Sequence, residues 1–448
     1  MKIKQISVTN LFGLFNHVIP LKTEDRITII HGPNGFGKTI MLNFIDGLFK
    51  GNYSIFKKIP FDGFCVDFDN GKYLTVKKHP LKGQSEKVSI SIQSSEQDEI
   101  TFSTKNSDSR YPILYEAIGD IAPELRRIGS DEWMDRRTGQ IMSWEEITER
   151  YGDYLPARFE YQKTPKWLKD IKKQINTHFI QTNRLLRQSP IPKSTRIYDE
   201  HSYSSAFPVS AVNQYSIDLV DRIQQTFAKS GELSQSLDRT FPIRLLSQRS
   251  EKRKTNITEG KLQKDLRELE NTRERLTAIG LMGKETTDVK IPDQIDMDDI
   301  NRIVLPMYVK DAKAKLKVFD DILEKIGLLQ KIINDRYSYS YKRLIIDRQK
   351  GFVFETRDGS TLPPNALSSG EQHELVLFYE LLFRIRPGSF ILIDEPEISL
   401  HIAWQQVFLK DIMAIAKLTD IDVLIATHSA DIIYDKWNLT VELKGPDE

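Results

Sequence analysis

One cysteine, Cys65, stands alone in 448 residues. It has no partner for an internal disulfide, and a single thiol is no zinc site, so the chain fits a reducing compartment, the cytoplasm. No apolar run approaches the ~18 residues that a membrane span needs, and the opening Met1-Lys2-Ile3-Lys4-Gln5-Ile6 reads as a charged strand and not as an apolar signal segment. That predicts a soluble, non-secreted protein with no membrane partner. An excess of one charge is missing too: 64 Lys and Arg against 63 Asp and Glu leave +1. Without a global field, nucleic acid could be held only by a local basic face. What is present, 39% hydrophobic and 28% charged residues, is the usage of a folded protein. The length suits about three average domains, or one large domain carrying insertions.

Asp25-Arg26-Ile27-Thr28-Ile29-Ile30-His31 is a short apolar run rich in β-branched residues, and turn residues follow it at once, which predicts a buried strand. Next comes Gly32-Pro33-Asn34-Gly35-Phe36-Gly37-Lys38-Thr39, a full match to the G-x-x-x-x-G-K-[ST] phosphate loop. A helical pattern from Ile40 to Leu48 completes the order of strand, loop and helix that such a loop requires. The glycines let the backbone wrap so that the N–H groups of Asn34, Gly35 and Gly37 and the helix N-terminus face phosphates. Lys38 adds a point charge at the β and γ phosphates, and Thr39 a hydroxyl for Mg²⁺. The bland alternative is an ordinary Gly-rich turn.

Far downstream, Phe390-Ile391-Leu392-Ile393-Asp394-Glu395-Pro396 reads as a buried strand that delivers two carboxylates to the carboxyl edge of a parallel sheet. Asp394 suits Mg²⁺, and Glu395 can polarise a water for in-line attack on the γ-phosphate. A solvated strand end is the competing reading. Leu367-Ser368-Ser369-Gly370-Glu371 opens a helix, so Ser368 and Gly370 mark a second anion site at a helix N-terminus. One nucleotide does not need two unrelated cradles in one chain. The economical solution is a dimer in which the Lys38 loop of one copy and the Ser368 turn of the other enclose the same nucleotide. A further strand, Val423 to Thr427, delivers His428, from which an imidazole can reach the γ-phosphate or the attacking water.

These residues resemble the ABC-type ATPases of the SMC/RecF/OLD-like branch. Gly32 to Thr39 match Walker A, Leu367 to Glu371 the signature, Ile391 to Glu395 Walker B, and Thr427-His428-Ser429 the H-switch. Ser369 stands where the common signature has its first glycine. Glu397 to His401 look like the adjoining D-loop, and Phe179 to Asn183 like the Q-loop, with Gln181 reaching the metal or the water. The resemblance covers residues 1–80 and 340–448 and touches the stretch near 180. It implies an α/β fold, a P-loop head of mostly parallel sheet with an antiparallel β layer, interrupted by a helical insertion with a short antiparallel coiled coil. It further implies ATP and Mg²⁺ as ligands, with Glu395, His428 and Gln181 catalytic and Thr39, Asp394 and Gln181 at the metal. The expected assembly is a homo-oligomer built from ATP-dependent dimers. Likeness to the ATPase components of the PARIS and Septu anti-phage systems implies a sensor or scaffold role with a separately encoded nuclease of Toprim or HNH type as partner and a phage protein as trigger. A DNA-clamping repair ATPase of the RecF kind is the alternative.

Five segments are expected. Residues 1–125 carry Walker A and the β layer, in which Lys87 to Ile92 and Ile100 to Thr104 alternate with period two as a hairpin beside Tyr73 to Val76. Residues 126–175, with Trp133, Trp144 and Trp167 among many charges, suggest a small helical insertion, and 176–210 hold the Q-loop. Residues 211–340 form a helical insertion, and 341–448 the rest of the head. Two heptad seams, Leu262, Leu266, Leu269, Leu276 and Ile279, and Leu316, Phe319, Leu323, Ile326 and Ile333, are expected to pair antiparallel across the breaker-rich join 280–299 as a stub of ~37 Å. The D-x-D of Asp296 to Asp299 sits in a polar connector and is discounted as a nuclease site. No nuclease of the chain's own is expected, since about 20 residues follow His428. The basic clusters Arg249, Lys252, Arg253, Lys254 and Lys163, Lys166, Lys169, Lys172, Lys173 are solvated helix faces or phosphate grips.

Overall fold

Alternation places Ile6 and Val8 on one face of the first strand, where both are buried, while Thr9 on the other face stays in water, and this period of two repeats through an antiparallel layer. The computed structural model describes residues 1–79, 87–94, 97–104, 122, 124–127, 132–135, 141–143, 147, 164–180, 211–250, 258–283, 298 and 300–446. In chain order come β1 (Ile3–Leu11), β2 (Phe15–Pro20), β3 (Ile27–His31), α1 (Lys38–Lys50), α2 (Ser54–Lys58), β4 (Gly63–Phe68), β5 (Lys72–His79), β6 (Lys87–Ser94) and β7 (Gln97–Thr104). Then follow β8 (Leu125–Arg127), β9 (Glu132–Asp135), β10 (Ile141–Ser143), α3 (Lys166–Gln174) and β11 (Thr177–Ile180). The helices α4 (Ala211–Ser250), α5 (Glu259–Ala278), α6 (Asn301–Lys317) and α7 (Asp320–Tyr337) lead to β12 (Lys342–Asp347), β13 (Gly351–Thr356), β14 (Thr361–Leu362) and α8 (Ser369–Tyr379). The chain closes with β15 (Phe390–Asp394), α9 (Ile402–Thr419), β16 (Asp422–Thr427), α10 (Ala430–Ile433) and β17 (Thr440–Glu442).

Packing divides this chain into two units, Met1–Val209 with Ile385–Glu448, and Ser210–Arg384. The boundaries fall at 210 and 385, so residues 341–384, which the sequence grouped with the head, pack with the helices that precede them.

In the first unit the antiparallel layer runs β2-β1-β4-β5-β6-β7. The hairpin expected between 87 and 104 is its last pair, in register Ile90↔Phe102. The second sheet is parallel, in the order β11-β15-β16-β3-β17. Its three central strands, β15, β16 and β3, are apolar on both faces because both are covered, and Ile393, Ile425, Ile29 and Ile30 are wholly buried. Helix α1 lies in the core between the layers, where Phe44 packs on Phe56, Phe61 and Phe64. Residues 125–143 depart from expectation: their described part is a three-stranded antiparallel sheet, β10-β9-β8, and α3 is the one described helix of eight or more residues between 126 and 175. Trp133 and Met142 turn inward from that sheet with Leu125. Strands of three or four residues are too short for a period of two to show in the sequence.

In the second unit α6 is flanked by two helices. On one side Arg244 of α4 forks onto Asp311 (2.9 and 2.6 Å), and Asp238 pairs with Lys315 at 2.9 Å. On the other, Lys313 meets Asp265 and Glu268 of α5, both at 2.7 Å. The α4 register runs antiparallel, and so does that of α5, whose Arg273 reaches the Tyr308 hydroxyl at 3.4 Å. The first heptad seam is buried at Leu262, Leu269, Leu276 and Ile279, but its main partner is α6. The second seam breaks at Val318 and Phe319, where α6 ends and α7 begins with Asp320 and Asp321 in its first turn. Acids favour a helix start, so the seam divides there. Leu323, Ile326 and Ile333 then pack with α7 toward β12 and α8.

Candidate functional site: a phosphate loop beside a carboxylate cluster

The parallel register fixes what meets at the carboxyl edge of the second sheet. Asp394 pairs with Ala426, and Thr427 with His31, so the loop after β3, the acids ending β15 and the histidine after β16 emerge side by side. Strand β16 lies between the other two. Gln181 follows β11 directly but lies outside the described residues.

The loop takes its shape from glycine. Gly35 and Gly37 have φ of 89° and 88°, a left-handed backbone that costs other residues ~1–2 kcal/mol. A Cβ on Gly37 would sit 2.5 Å from Leu11 Cδ2, so the β layer packs against the loop where α1 begins. Asn34 and Gly35 are exposed at its crest, whereas Lys38 is buried. Lys38 Nζ donates to the carbonyls of Gly32 (2.7 Å) and Pro33 (3.0 Å), and burial lowers its pKa against the pull of Glu395, Glu397 and Asp394. From the β layer, buried His17 places Nε2 at 2.9 Å from the Phe36 carbonyl, and Phe15 stacks on the His17 ring and packs at a tilt on the Phe36 ring. His17 was invisible in the sequence as a site residue, because an inward position on an alternating strand gives no sign of it.

Thr39 Oγ1 donates to Asp394 Oδ1 at 3.1 Å, joining residues 355 apart in sequence. The Asp394 carboxyl is pushed up to about 6, first by burial; the Thr39 hydrogen bond pulls it down, the neighbouring Glu395 and Glu397 raise it, and Lys38 opposes them. A carboxyl so short of compensation, next to a hydroxyl, suits a hard divalent cation. Among the described residues no three His, Cys, Asp or Glu side chains form a cage able to hold a metal.

Glu395 follows Asp394 in a left-handed conformation, φ 42° and ψ 59°. For a non-glycine residue this is strained backbone, of the kind found where a side chain is aimed. The short helical turn from Pro396 to Ser399 then reverses the chain. Glu397, buried within it, brings Oε1 to the Thr427 hydroxyl (2.7 Å), the His428 backbone N–H (3.0 Å) and His428 Nδ1 (3.0 Å). His428 Nδ1 is 3.8 Å from Glu395 Oε1. Glu397 belonged to the expected D-loop with no chemistry assigned. Its only sequence signal is a third acid in Asp394-Glu395-Pro396-Glu397.

Ser368 and Gly370 belong to the second unit. Ser368 caps α8 in a reciprocal box with Glu371: its N–H and hydroxyl donate to Glu371 Oε2 at 2.8 and 2.9 Å. Burial works against the Glu371 charge, yet the Lys342 ammonium and the Ser368 and Ser340 hydrogen bonds outweigh it and lower the pKa.

A family model described as "AAA ATPase domain" matches residues 1–433. The chain belongs to that family. No curated protein matches the sequence. Similar solved structures include an Smc head domain from Pyrococcus furiosus bound to the C-terminal domain of ScpA, 12% identical over 99% of this chain and 94% of that one, with a TM-score of 0.33. The SMC head domain from Thermotoga maritima is 9% identical over 97% and 91%, at 0.31. The recombination mediator RecF is 12% identical over 99% and 98%, at 0.27. Family membership gives the chain nucleotide binding and the general activity of an ATPase. No described helix is long and apolar enough to cross a membrane.

Proposed function

We propose that the chain is a Mg²⁺-dependent, ABC-type ATPase of the SMC/RecF-like branch whose heads pair around ATP. The observation that carries this reading is the Thr39–Asp394 hydrogen bond at 3.1 Å, which joins a complete phosphate loop to the acidic end of β15. Asn34, Gly35 and Gly37 supply backbone N–H groups to the phosphates, and Lys38 supplies charge. Thr39 and Asp394, with Gln181 as the Q-loop residue, hold the metal, which when bound screens the phosphate charge. Glu395 orients and deprotonates water, His428 completes the water's surroundings, and Ser368 and Gly370 of a second copy close the pocket. Size-exclusion chromatography with ATP tests this. Glu395→Gln is expected to accumulate as the ATP-bound assembly and Lys38→Ala to lose nucleotide binding; equal association of the two variants would refute pairing around ATP.

On the resemblance to PARIS and Septu ATPases, the biological role proposed is that of a cytoplasmic sensor or scaffold of anti-phage defence, controlling a separate Toprim or HNH nuclease and answering to a phage protein. Purification from the native host is expected to bring down a nuclease, with turnover indifferent to DNA. Turnover stimulated by DNA with a steep salt dependence would instead mark a DNA-clamping repair ATPase.

A further inference from the structure

We propose that Glu397 is the positioning residue of His428: its carboxylate keeps the ring proton on Nδ1 and so presents Nε2, as a hydrogen-bond acceptor, to the attacking water. The inference rests on the ATPase reading for the water and on geometry for the rest. Nδ1 lies 3.0 Å from Glu397 Oε1 and 3.8 Å from Glu395 Oε1, and the second is too long for a hydrogen bond. A carboxylate oxygen only accepts, so the nitrogen facing it carries the hydrogen. In the neutral ring the lone pair is then left on Nε2. That nitrogen makes no hydrogen bond among the described residues, and the His428 side chain is 47% exposed.

Glu397 is held firmly enough to impose this choice. It is 8% exposed. The Thr427 hydroxyl at 2.7 Å and the His428 N–H at 3.0 Å fix the same oxygen, and the strained Glu395 and the Pro396 turn set the direction from which the side chain arrives. Its other oxygen, Oε2, is buried and makes no hydrogen bond among the described residues. A clasp needed only to join the ends of β15 and β16 would be complete with Thr427 and the backbone N–H. The third contact, to the ring, is what a positioning role adds. It divides the labour at the site: Glu395 is left to the water's proton, while His428 fixes the direction of the water's other O–H.

The test reads the ring directly. Protein labelled with ¹⁵N-histidine, without nucleotide, is expected to show His428, assigned by its loss in His428→Asn, as the Nδ1–H form. Glu397→Met, whose thioether is at most a weak acceptor, is expected to shift the ring toward Nε2–H and lower kcat at least ~10-fold with KM within about twofold, by analogy with the ~10–100-fold loss when a group orienting a metal-bound histidine is removed. Glu397→Gln, whose amide oxygen can occupy the Oε1 position, is expected to restore the Nδ1–H form and most of kcat. An Nε2–H ring in the unaltered protein overturns the proposal, and this needs no variant to fold. So does a Met variant that loses turnover with its ring unchanged, which would make Glu397 a structural clasp. Should the unaltered protein hydrolyse no ATP, the ATPase reading fails while the ring measurement still decides the Glu397–His428 contact.

Discussion

Gly35 and Gly37 share almost the same φ, 89° and 88°, yet their surroundings differ: nothing lies within 4 Å of a Cβ on Gly35, whereas one on Gly37 meets Leu11 at 2.5 Å. Alanine at Gly35 is therefore expected to lose only the backbone cost of ~1–2 kcal/mol. At Gly37 it also displaces Leu11 from the β layer, and the melting temperature and nucleotide affinity are expected to fall further. Equal losses in calorimetry and titration would show that the Leu11 contact is immaterial. Asp394 gives a prediction of opposite sign. Its folded pKa of about 6 lies above the ordinary 3.8, so the folded chain holds this proton more tightly than the unfolded one. Stability from that difference is present below the unfolded value and lost as pH rises through about 6. Without divalent cation, Asp394→Asn is expected to melt higher than the unaltered protein at pH 7.5 and to match it near pH 4. An Asn variant that melts lower at pH 7.5 would show that the carboxylate is not strained there. Of these residues, the loop and the Asp394-Glu395 pair were legible because their signals are local. His17 and Glu397 were not, because their meaning lies in partners that the fold supplies, the Phe36 carbonyl and a ring 31 residues downstream.

At the scale of elements, α8 is fastened to the end of α7 by charge. Arg336 and Glu374 pair at 2.6 Å with side chains 2% and 0% exposed, and the guanidinium lies 4.7 Å from the centre of the Phe378 ring. Removing one partner of such a pair leaves a buried charge and typically costs ~3–5 kcal/mol, whereas an apolar replacement of both is often neutral. Arg336→Met is expected to fall in that range by urea denaturation, and Arg336→Met with Glu374→Leu to recover most of it; a double variant no better than the single would mean that the pair is worth more than its desolvation. The strands β3, β15 and β16 were readable as apolar runs with breakers at their ends. The sheet of β8 to β10 was not, its strands being shorter than any period, and composition alone suggested helix. The helical insertion was readable as helices but not in its pairing, since a heptad seam records that a face is buried without naming what covers it.

Across the whole molecule, the phosphate loop is the earliest part of the site and the least able to stand alone. Strand β3 ends at His31, and its neighbours on either side are β16 (Asp422–Thr427) and β17 (Thr440–Glu442). A chain cut after Asp420 lacks both and is expected to bind no ATP even with Gly32 to Thr39 intact; binding by isothermal titration would contradict that dependence. During translation, at ~5–20 residues per second, the loop leaves the ribosome ~20–80 s before the strands that frame it. Throughout that interval the growing polypeptide carries the Gly32–Thr39 motif with no sheet to hold it open, so the fold itself withholds the loop's frame until residues 422–442 have been made.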